Sequence, residues 1–150
     1  MAVLQLEQHF FTQIDIKANP EAKDAGSPRV ECRVIAARSV DNAENFQITL
    51  TTWLKGDSNE TPPPHYSGSI EVVGLFRVPK AYDGDAEKLA GVNGASILYN
   101  AVRELVCNLT ARGPWPMVTL KTMSFIKDVA MDDKEKTTGR TKRPTRPAAR

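Results

Sequence analysis

A chain of 150 residues with 41% hydrophobic and 25% charged residues has the size and composition of one folded domain. No apolar run approaches the length of about 20 residues that a membrane helix needs, and residues 1–7 lack the basic start and apolar core of a secretory signal. We therefore expect a cytoplasmic domain without a membrane span. Reduced thiols are then expected at Cys32 and Cys107, rather than a disulfide between them.

Charge is distributed unevenly along the chain. Residues 1–131 carry 13 Lys and Arg against 15 Asp and Glu, whereas residues 132–150 carry 7 against 3. The C-terminal segment has no apolar side chain larger than Pro or Ala, so burial cannot offset the entropy lost on ordering it. We predict a domain over residues 1–131 and a disordered basic tail over residues 132–150.

Four segments alternate apolar and polar residues in the manner of β-strands. They cover approximately residues 10–18, 30–38, 46–51 and 70–78. In the first segment, alternation places Phe10 on one face with Ile14, and Phe11 on the other face. Turn-forming residues separate the segments. Alternation with a period of two residues indicates an antiparallel sheet with one covered and one wetter face.

A long helix is predicted after the strands. Its apolar residues recur at helical spacing: Leu98, Ala101, Val102, Leu105 and Leu109. Gly113 is predicted to take the left-handed position after the helix, and Pro114 prevents its continuation. A short second helix is predicted over residues 124–134, with an apolar stripe at Ile126, Val129 and Ala130. The fold class is therefore α+β, with four strands of an antiparallel sheet followed by a long helix and a short second helix.

The chain has more apolar surface than one helix of this length can cover. The wetter sheet face is predicted to hold Phe11, Trp53, Val73 and Leu75. An extended segment after Pro114 adds Trp115, Met117, Val118, Leu120 and Met123. Large uncovered apolar patches mark interaction surfaces, so we predict an oligomer, a groove that binds another polypeptide, or both.

The sequence lacks the motifs of catalysis and of cofactor binding. His9 and His65 are the only histidines, and neither stands at metal-ligand spacing from another ligand. Phosphate-cradling loops and nucleophile elbows are absent, and Asp83 with Asp85 lacks the remaining ligands of a calcium loop. We predict that the protein is not an enzyme and that it needs no metal or cofactor.

The basic tail keeps a second class of function open, namely nucleic-acid binding. Lys and Arg at this density would give salt-sensitive phosphate contacts. The tail has no aromatic side chain to stack on bases, which disfavours this alternative.

A distinctive pattern runs through the predicted helix and the turn after it. It comprises Ile97-Leu98-Tyr99, Ala101-Val102-Arg103-Glu104, Arg112-Gly113, Trp115-Pro116, Leu120 and Phe125. These residues resemble the SecB family of bacterial protein-export chaperones, and a fainter resemblance extends back to Phe10. It implies a four-stranded antiparallel sheet with both helices packed on one face. It also implies protomers that pair through sheet edges and then through their long helices, as a homotetramer built from two dimers. It also implies an ATP-independent chaperone that holds non-native polypeptides in grooves.

The resemblance implies three sets of site residues. The client groove would be lined by Trp115, Met117, Val118, Leu120, Met123, Phe125, Ile126 and Val129, with Trp53 on the sheet as a further client contact. The helix-mediated interface would use Leu98, Val102, Leu105 and Leu109. Asp15 and Glu71 match carboxylates through which export members dock on the translocase ATPase SecA, while Asn19 stands where the family often has an acid.

Two versions of the chaperone function follow from the resemblance. In the first, the clients are preproteins for export or non-native proteins in general. In the second, the client is the antitoxin of a toxin–antitoxin system, as for some SecB-like chaperones. The basic tail and the short first loop, residues 19–28, depart from the export members, which have an acidic tail and a longer loop.

Overall fold

In the part of the chain that the structure describes, the fold consists of four long strands, one long helix and a short fifth strand. The computed structural model describes residues 3–22, 28–56, 64–126 and 129–131. The elements are β1 (Gln5–Ala18), β2 (Arg29–Arg38), β3 (Asn45–Lys55), β4 (Tyr66–Arg77), α1 (Ala86–Thr110) and β5 (Val129–Met131). No helix of the described chain is long and apolar enough to cross a membrane. The predicted tail, residues 132–150, lies outside the described residues.

The strands form one sheet in the order β1-β4-β3-β2-β5. The first four pair antiparallel with their neighbours, and β5 runs parallel to β2. The prediction of an α+β fold with a four-stranded antiparallel sheet and a long helix is therefore confirmed. The helix packs on one face of the sheet, mainly against β2, β3 and β4.

Helix α1 is capped at its start and buries one stripe against the sheet. The Asp85 carboxylate accepts the Lys88 N–H at 3.1 Å and so satisfies one of the unpaired donors of the first turn. Ala90, Ala95, Leu98, Val102 and Val106 are among its fully buried residues. At Gly94 the helix approaches β3 and β4 closely, since a Cβ there would lie 3.2 Å from Ile48 and Phe76.

A β-bulge in β1 reverses the predicted faces of two phenylalanines. Phe11 pairs with Val72 and Gln13 pairs with Glu71, so Thr12 is an extra residue in the strand. Phe11 therefore packs against the core on the helix side, and Phe10 is exposed on the other face. The prediction that placed Phe10 with Ile14 is wrong, because alternation read from the sequence assumes an uninterrupted ladder.

The predicted short second helix is also wrong. Ser124 and Phe125 are not helical, and Val129–Met131 form β5 alongside Val34–Ala36 of β2. An edge strand presents unpaired N–H and C=O groups. Pairing with that edge gives the backbone of β5 hydrogen-bond partners that a short exposed helix would have to find within itself. Residues 127–128 and 132–134 of the predicted helix lie outside the described residues.

Gly68 in the middle of the sheet provides a test of this fold. Its φ of +144° is one that side-chain-bearing residues rarely adopt, and a Cβ would lie 1.7 Å from the Asp15 carbonyl oxygen of β1. We expect Gly68→Ala to lower the free energy of unfolding by about 3 kcal/mol or more, measured by urea denaturation at fixed protein concentration. Ser69→Ala, at the next position of the same strand, should change it by less than about 1 kcal/mol. Equal midpoints for the two variants would contradict the described pairing of β1 with β4.

Candidate polypeptide-binding groove

The segment after α1, residues 111–126, is extended and folds back along the helix; we call it the arm. Side chains of α1 hydrogen-bond to three main-chain carbonyls of the arm. The hydrogen bonds run from the Tyr99 hydroxyl to Lys121 O (2.6 Å), from Arg103 Nε to Leu120 O (2.9 Å) and from Cys107 Sγ to Val118 O (3.4 Å). The three donors stand four residues apart, so they share one face of the helix. One helical stripe thus replaces the strand partner that the arm lacks.

The turn between α1 and the arm is anchored on Tyr66 of β4. The Tyr66 hydroxyl accepts the Trp115 N–H at 3.2 Å and donates towards the carbonyls of Thr110 (3.2 Å) and Trp115 (3.4 Å). Thr110 Oγ1 in turn accepts the Val118 N–H at 2.9 Å. The Thr110 carbonyl is a group that the end of a helix leaves without an intrahelical partner, and the two N–H groups belong to the arm.

Gly113 has a different role from the one predicted. Gly68 is the one glycine with positive φ in the described part of the chain, so Gly113 does not adopt the left-handed conformation. A Cβ at Gly113 would lie 2.0 Å from the Tyr66 hydroxyl oxygen. Glycine is therefore required there because the turn passes directly over the tyrosine.

Trp115 connects the start of the arm to residues at the end of the sheet. Its indole stacks on the His65 ring, with centroids 5.2 Å apart and planes 14° apart. The indole N–H donates to the Asn19 carbonyl at 3.0 Å. Asn19 also donates its side-chain amide to the Pro64 carbonyl. Trp115 and Asn19, which the resemblance associated with client binding and translocase docking, thus both have structural contacts within the protomer.

The predicted client residues divide into two groups in the structure. Val118, Leu120 and Phe125 are buried within the protomer core, and Phe125 makes an edge-on contact with Tyr99, with ring centroids 5.6 Å apart. Met117 is 55% exposed. Burial leaves the first three little surface for a client.

The remaining predicted client residues lie in three different places. Met123 is half-buried, and its Sδ lies 3.7 Å from Cys32 Sγ. Ile126 is exposed. Trp53 lies on the sheet face opposite α1, with Lys55 Nζ 5.5 Å from its ring centroid. Val129 belongs to β5, and its side chain lies outside what the structure describes. The structure therefore does not bring Trp53 together with the arm.

A groove of about 380 Å³ lies between the arm and the start of β2. Its lining comprises Pro28, Arg29, Val30, Tyr99, Val118, Thr119, Leu120, Lys121 and Met123. Three of the predicted client residues, Val118, Leu120 and Met123, line it. Residues 28–30 and Tyr99 were missed as site residues, because their contribution depends on the arm folding back to the edge of β2. Tyr99 stood within the motif that carries the family resemblance, which was the available signal.

Tyr99 lines the groove and also binds the arm. Burial raises its pKa to about 12; the nearby Cys32 adds to the rise and Arg103 opposes it. The neutral phenol, which donates the hydrogen bond to Lys121, therefore persists above the pKa near 10 of an unfolded tyrosine. The stability that Tyr99 contributes is complete below about pH 10 and is lost as the pH rises towards 12.

The predicted helix interface needs correction. Leu98 and Val102 are both 0% exposed beneath the sheet, so they have no surface to offer a second protomer. Leu105 is half-buried against the core. Leu109 is 38% exposed, and Ile97, which the prediction omitted, is 39% exposed. Helical periodicity locates apolar positions but does not say which of them the protomer's own sheet covers.

Asp15 and Glu71 lie on the sheet face opposite α1. Glu71 Oε1 accepts the Thr12 hydroxyl at 2.6 Å, and its Oε2 lies 3.5 Å from the Thr51 hydroxyl. Asp15 lies 3.9 Å from Lys17 Nζ. The two carboxylates occupy neighbouring strands, and each already has a partner within the protomer.

Comparison with known proteins decides the family. The family model described as "Preprotein translocase subunit SecB" matches residues 5–134. The chain belongs to the SecB family. The protein-export protein SecB of Neisseria meningitidis serogroup B is 30% identical over 104 residues, which are 68% of this chain and 69% of that protein. The SecB of Alcanivorax borkumensis is 28% identical over 91 residues, 60% of this chain and 57% of that protein. The resemblance found in the sequence is thereby confirmed.

A solved structure shares the fold. It is the Mycobacterium tuberculosis SecB-like chaperone in complex with a ChAD peptide from the HigA1 antitoxin, with a TM-score of 0.64 and 20% identity. The match covers 80% of this chain and 90% of that chain. Among the described residues of the SecB-family chain, no group of three or more His, Cys, Asp or Glu is placed to hold a metal ion.

Tyr66 provides a test of how the arm is held in this SecB-family protein. Tyr66→Phe removes one buried hydroxyl, leaving the Trp115 N–H without its acceptor. We expect a loss of about 1–3 kcal/mol of unfolding free energy and faster hydrogen exchange at the Trp115 amide. Tyr82→Phe is the matched control, since the Tyr82 side chain is only half-buried. Unchanged exchange at Trp115 in Tyr66→Phe would show that the turn does not depend on this hydroxyl.

Proposed function

We propose that this SecB-family protein is an ATP-independent holdase chaperone that binds extended segments of non-native polypeptide in the groove between the arm and β2. The observation that carries the proposal is the open groove itself, whose partly exposed apolar walls include Val30 and Met123. Burial of apolar client surface, at about 25 cal/mol per Å², supplies the affinity. Met123 can adapt to side chains of different shape, which suits a site that accepts many sequences.

The edge of β2 supports binding of an extended chain. In the described residues, β5 pairs with β2 at Val34–Ala36. The first residues of β2, including Arg29 and Val30, instead border the groove. An exposed strand edge offers main-chain donors and acceptors that do not depend on client sequence. A shallow apolar groove beside such an edge fits a holdase without a nucleotide cycle.

We propose preproteins and other non-native proteins as the main clients. The chaperone would act on them in the cytoplasm, without catalysis and without a cofactor. The names of the export relatives support this choice. An antitoxin is the second candidate, because the solved structure with the same fold holds an antitoxin peptide. Docking on SecA through Asp15 and Glu71 has weaker support, since both carboxylates have protomer partners. Binding of nucleic acid through the basic tail remains the alternative of another class.

Exchange of one methionine tests the groove. Met123→Ser removes apolar surface from the groove wall, so we expect roughly tenfold weaker retention of an unfolded client, as for a lost side-chain burial of about 1.4 kcal/mol. The readouts are light scattering of an aggregating client and pull-down of the complex. Met117→Ser is the matched control: Met117 lies on the same arm but outside the groove lining.

The pair of variants also separates two hypotheses. If Met117→Ser weakens retention and Met123→Ser does not, the client binds elsewhere on the arm. If neither variant has an effect and the wild-type protein does not suppress aggregation, the holdase proposal fails. Binding of generic RNA or DNA that disappears with added salt would then favour the alternative based on the tail.

We further propose that protomers assemble into a tetramer as a dimer of dimers, and that the long helices supply one interface. Ile97 and Leu109 leave more than a third of their side chains exposed on α1, and Leu105 lies between them. At 3.6 residues per turn, each step of four residues moves about 40° around the helix. Leu105 therefore lies about 80° and Leu109 about 120° around the helix from Ile97, and the three form an oblique band across it. They replace Leu98 and Val102 in the proposed interface.

A charge introduced at Ile97 should disrupt the proposed helix interface and so divide the tetramer. We expect Ile97→Glu to lower the mass measured by light scattering after size-exclusion chromatography, because a buried unpaired carboxylate is strongly unfavourable. Val40→Glu introduces the same charge at an apolar residue that is exposed in the turn after β2, and it should leave the mass unchanged. A single-protomer mass for the wild-type protein would contradict the assembly proposal.

A further inference from the structure

The charged residues that line the groove are both cations. Arg29 stands at the β2 side and Lys121 at the arm side, and none of the described lining residues is acidic. Lys121 is exposed and forms no ion pair with the described residues. Its carbonyl, not its ammonium group, makes the hydrogen bond to Tyr99. Its charge is therefore available to a bound chain.

The region behind the β2 side holds a cluster of paired charges. Glu31 is paired both with Arg29 and with Lys55, the latter at 2.7 Å. The hydrogen bonds from Lys55 and Arg29 hold the pKa of the Glu31 carboxyl below its usual range, so it stays ionised and fully engaged. Arg103, whose Nε donates to the Leu120 carbonyl, adds a further positive charge beneath the arm.

This positive groove contrasts with the body that carries it. Residues 1–131 have two more acidic than basic side chains, so the presence of cations alone among the charged lining residues is not an effect of overall composition. The groove is bounded by Arg29 on one side and Lys121 on the other. A segment lying between them brings its flanking side chains close to both.

We propose that the groove selects extended apolar segments flanked by acidic residues, and that Lys121 is the main determinant of this preference. The inference rests on the proposed holdase function and names the client chemistry of the same groove. Apolar burial supplies affinity whether or not the flanking residues are acidic. The cations then favour those apolar segments whose flanking residues carry negative charge. Because the pairs are partly exposed, the preference is modest and is screened by salt.

The test uses three short fluorescent peptides with one common apolar core. Their flanks are acidic (Asp), neutral (Ser) or basic (Lys), and binding to the full-length protein is measured by fluorescence anisotropy at low and high salt. We expect the acidic peptide to bind roughly three- to tenfold more tightly than the basic one at low salt. The difference should shrink at high salt, while the neutral peptide changes little.

Variants at one position connect the preference to the groove. Lys121→Met should remove most of the difference between flanks, Lys121→Glu should reverse it, and Lys121→Arg should retain it. The matched control is Lys88→Glu, an equal charge change at an exposed lysine in the first turn of α1, far along the helix from Tyr99. It should leave the preference as in the wild type.

The outcomes distinguish this inference from the proposed function. If the neutral peptide binds but all flanks bind equally, charge selection is overturned and the holdase groove stands. If the preference survives in Lys121→Glu, the selecting charges lie elsewhere and the assignment is likewise overturned. If no peptide binds under any condition, the groove is not a polypeptide site and both proposals fail.

Discussion

An extended segment without a neighbouring strand must find partners for its backbone polar groups, and this constraint shapes the functional side of the molecule. Buried N–H and C=O groups without partners are costly. Here the solution is a stripe of α1 side chains: Tyr99, Arg103 and Cys107 donate to arm carbonyls, and Thr110 at the end of α1 accepts the Val118 N–H. The middle of the arm is thus fixed on the helix, whereas its start is held by Tyr66 of β4 and by the Asn19 carbonyl. The groove is the space left between the arm and β2.

The same arrangement divides the arm's side chains. Val118 and Leu120 turn inward and join the core, whereas Thr119 and Lys121 are exposed. The groove therefore has apolar walls contributed by residues that also stabilise the fold, and polar or charged residues at its rim. Substitution of the buried members would weaken folding and binding together. Half-exposed or exposed positions, such as Met123 and Lys121, are where binding can be altered without loss of the protomer.

The sequence was sufficient for the sheet, the long helix and the family, because each of these depends on many residues that agree. It was insufficient where one backbone event changes the pattern. The bulge at Thr12 exchanges the faces of Phe10 and Phe11, and the open edge of β2 recruits Val129–Met131 as a strand although their spacing also suits a helix. The sequence correctly indicated that position 113 requires glycine. The reason is the close approach of the Tyr66 hydroxyl, and not a left-handed backbone conformation. Such effects depend on tertiary neighbours that are distant in sequence.

The site residues could also be predicted only in part, because the sequence does not show which apolar side chains the protomer itself buries. A surplus of apolar residues indicates that something must be covered, but periodicity assigns Leu98 and Ile97 to the same helix without saying which one the sheet covers. The structure assigns Leu98 to the core and leaves Ile97 exposed. Much of the apparent surplus is thus used within the protomer, and the surface left for a client is smaller than the sequence suggested. With less apolar area to distinguish one segment from another, a pair of cations at the rim can decide which segments are held.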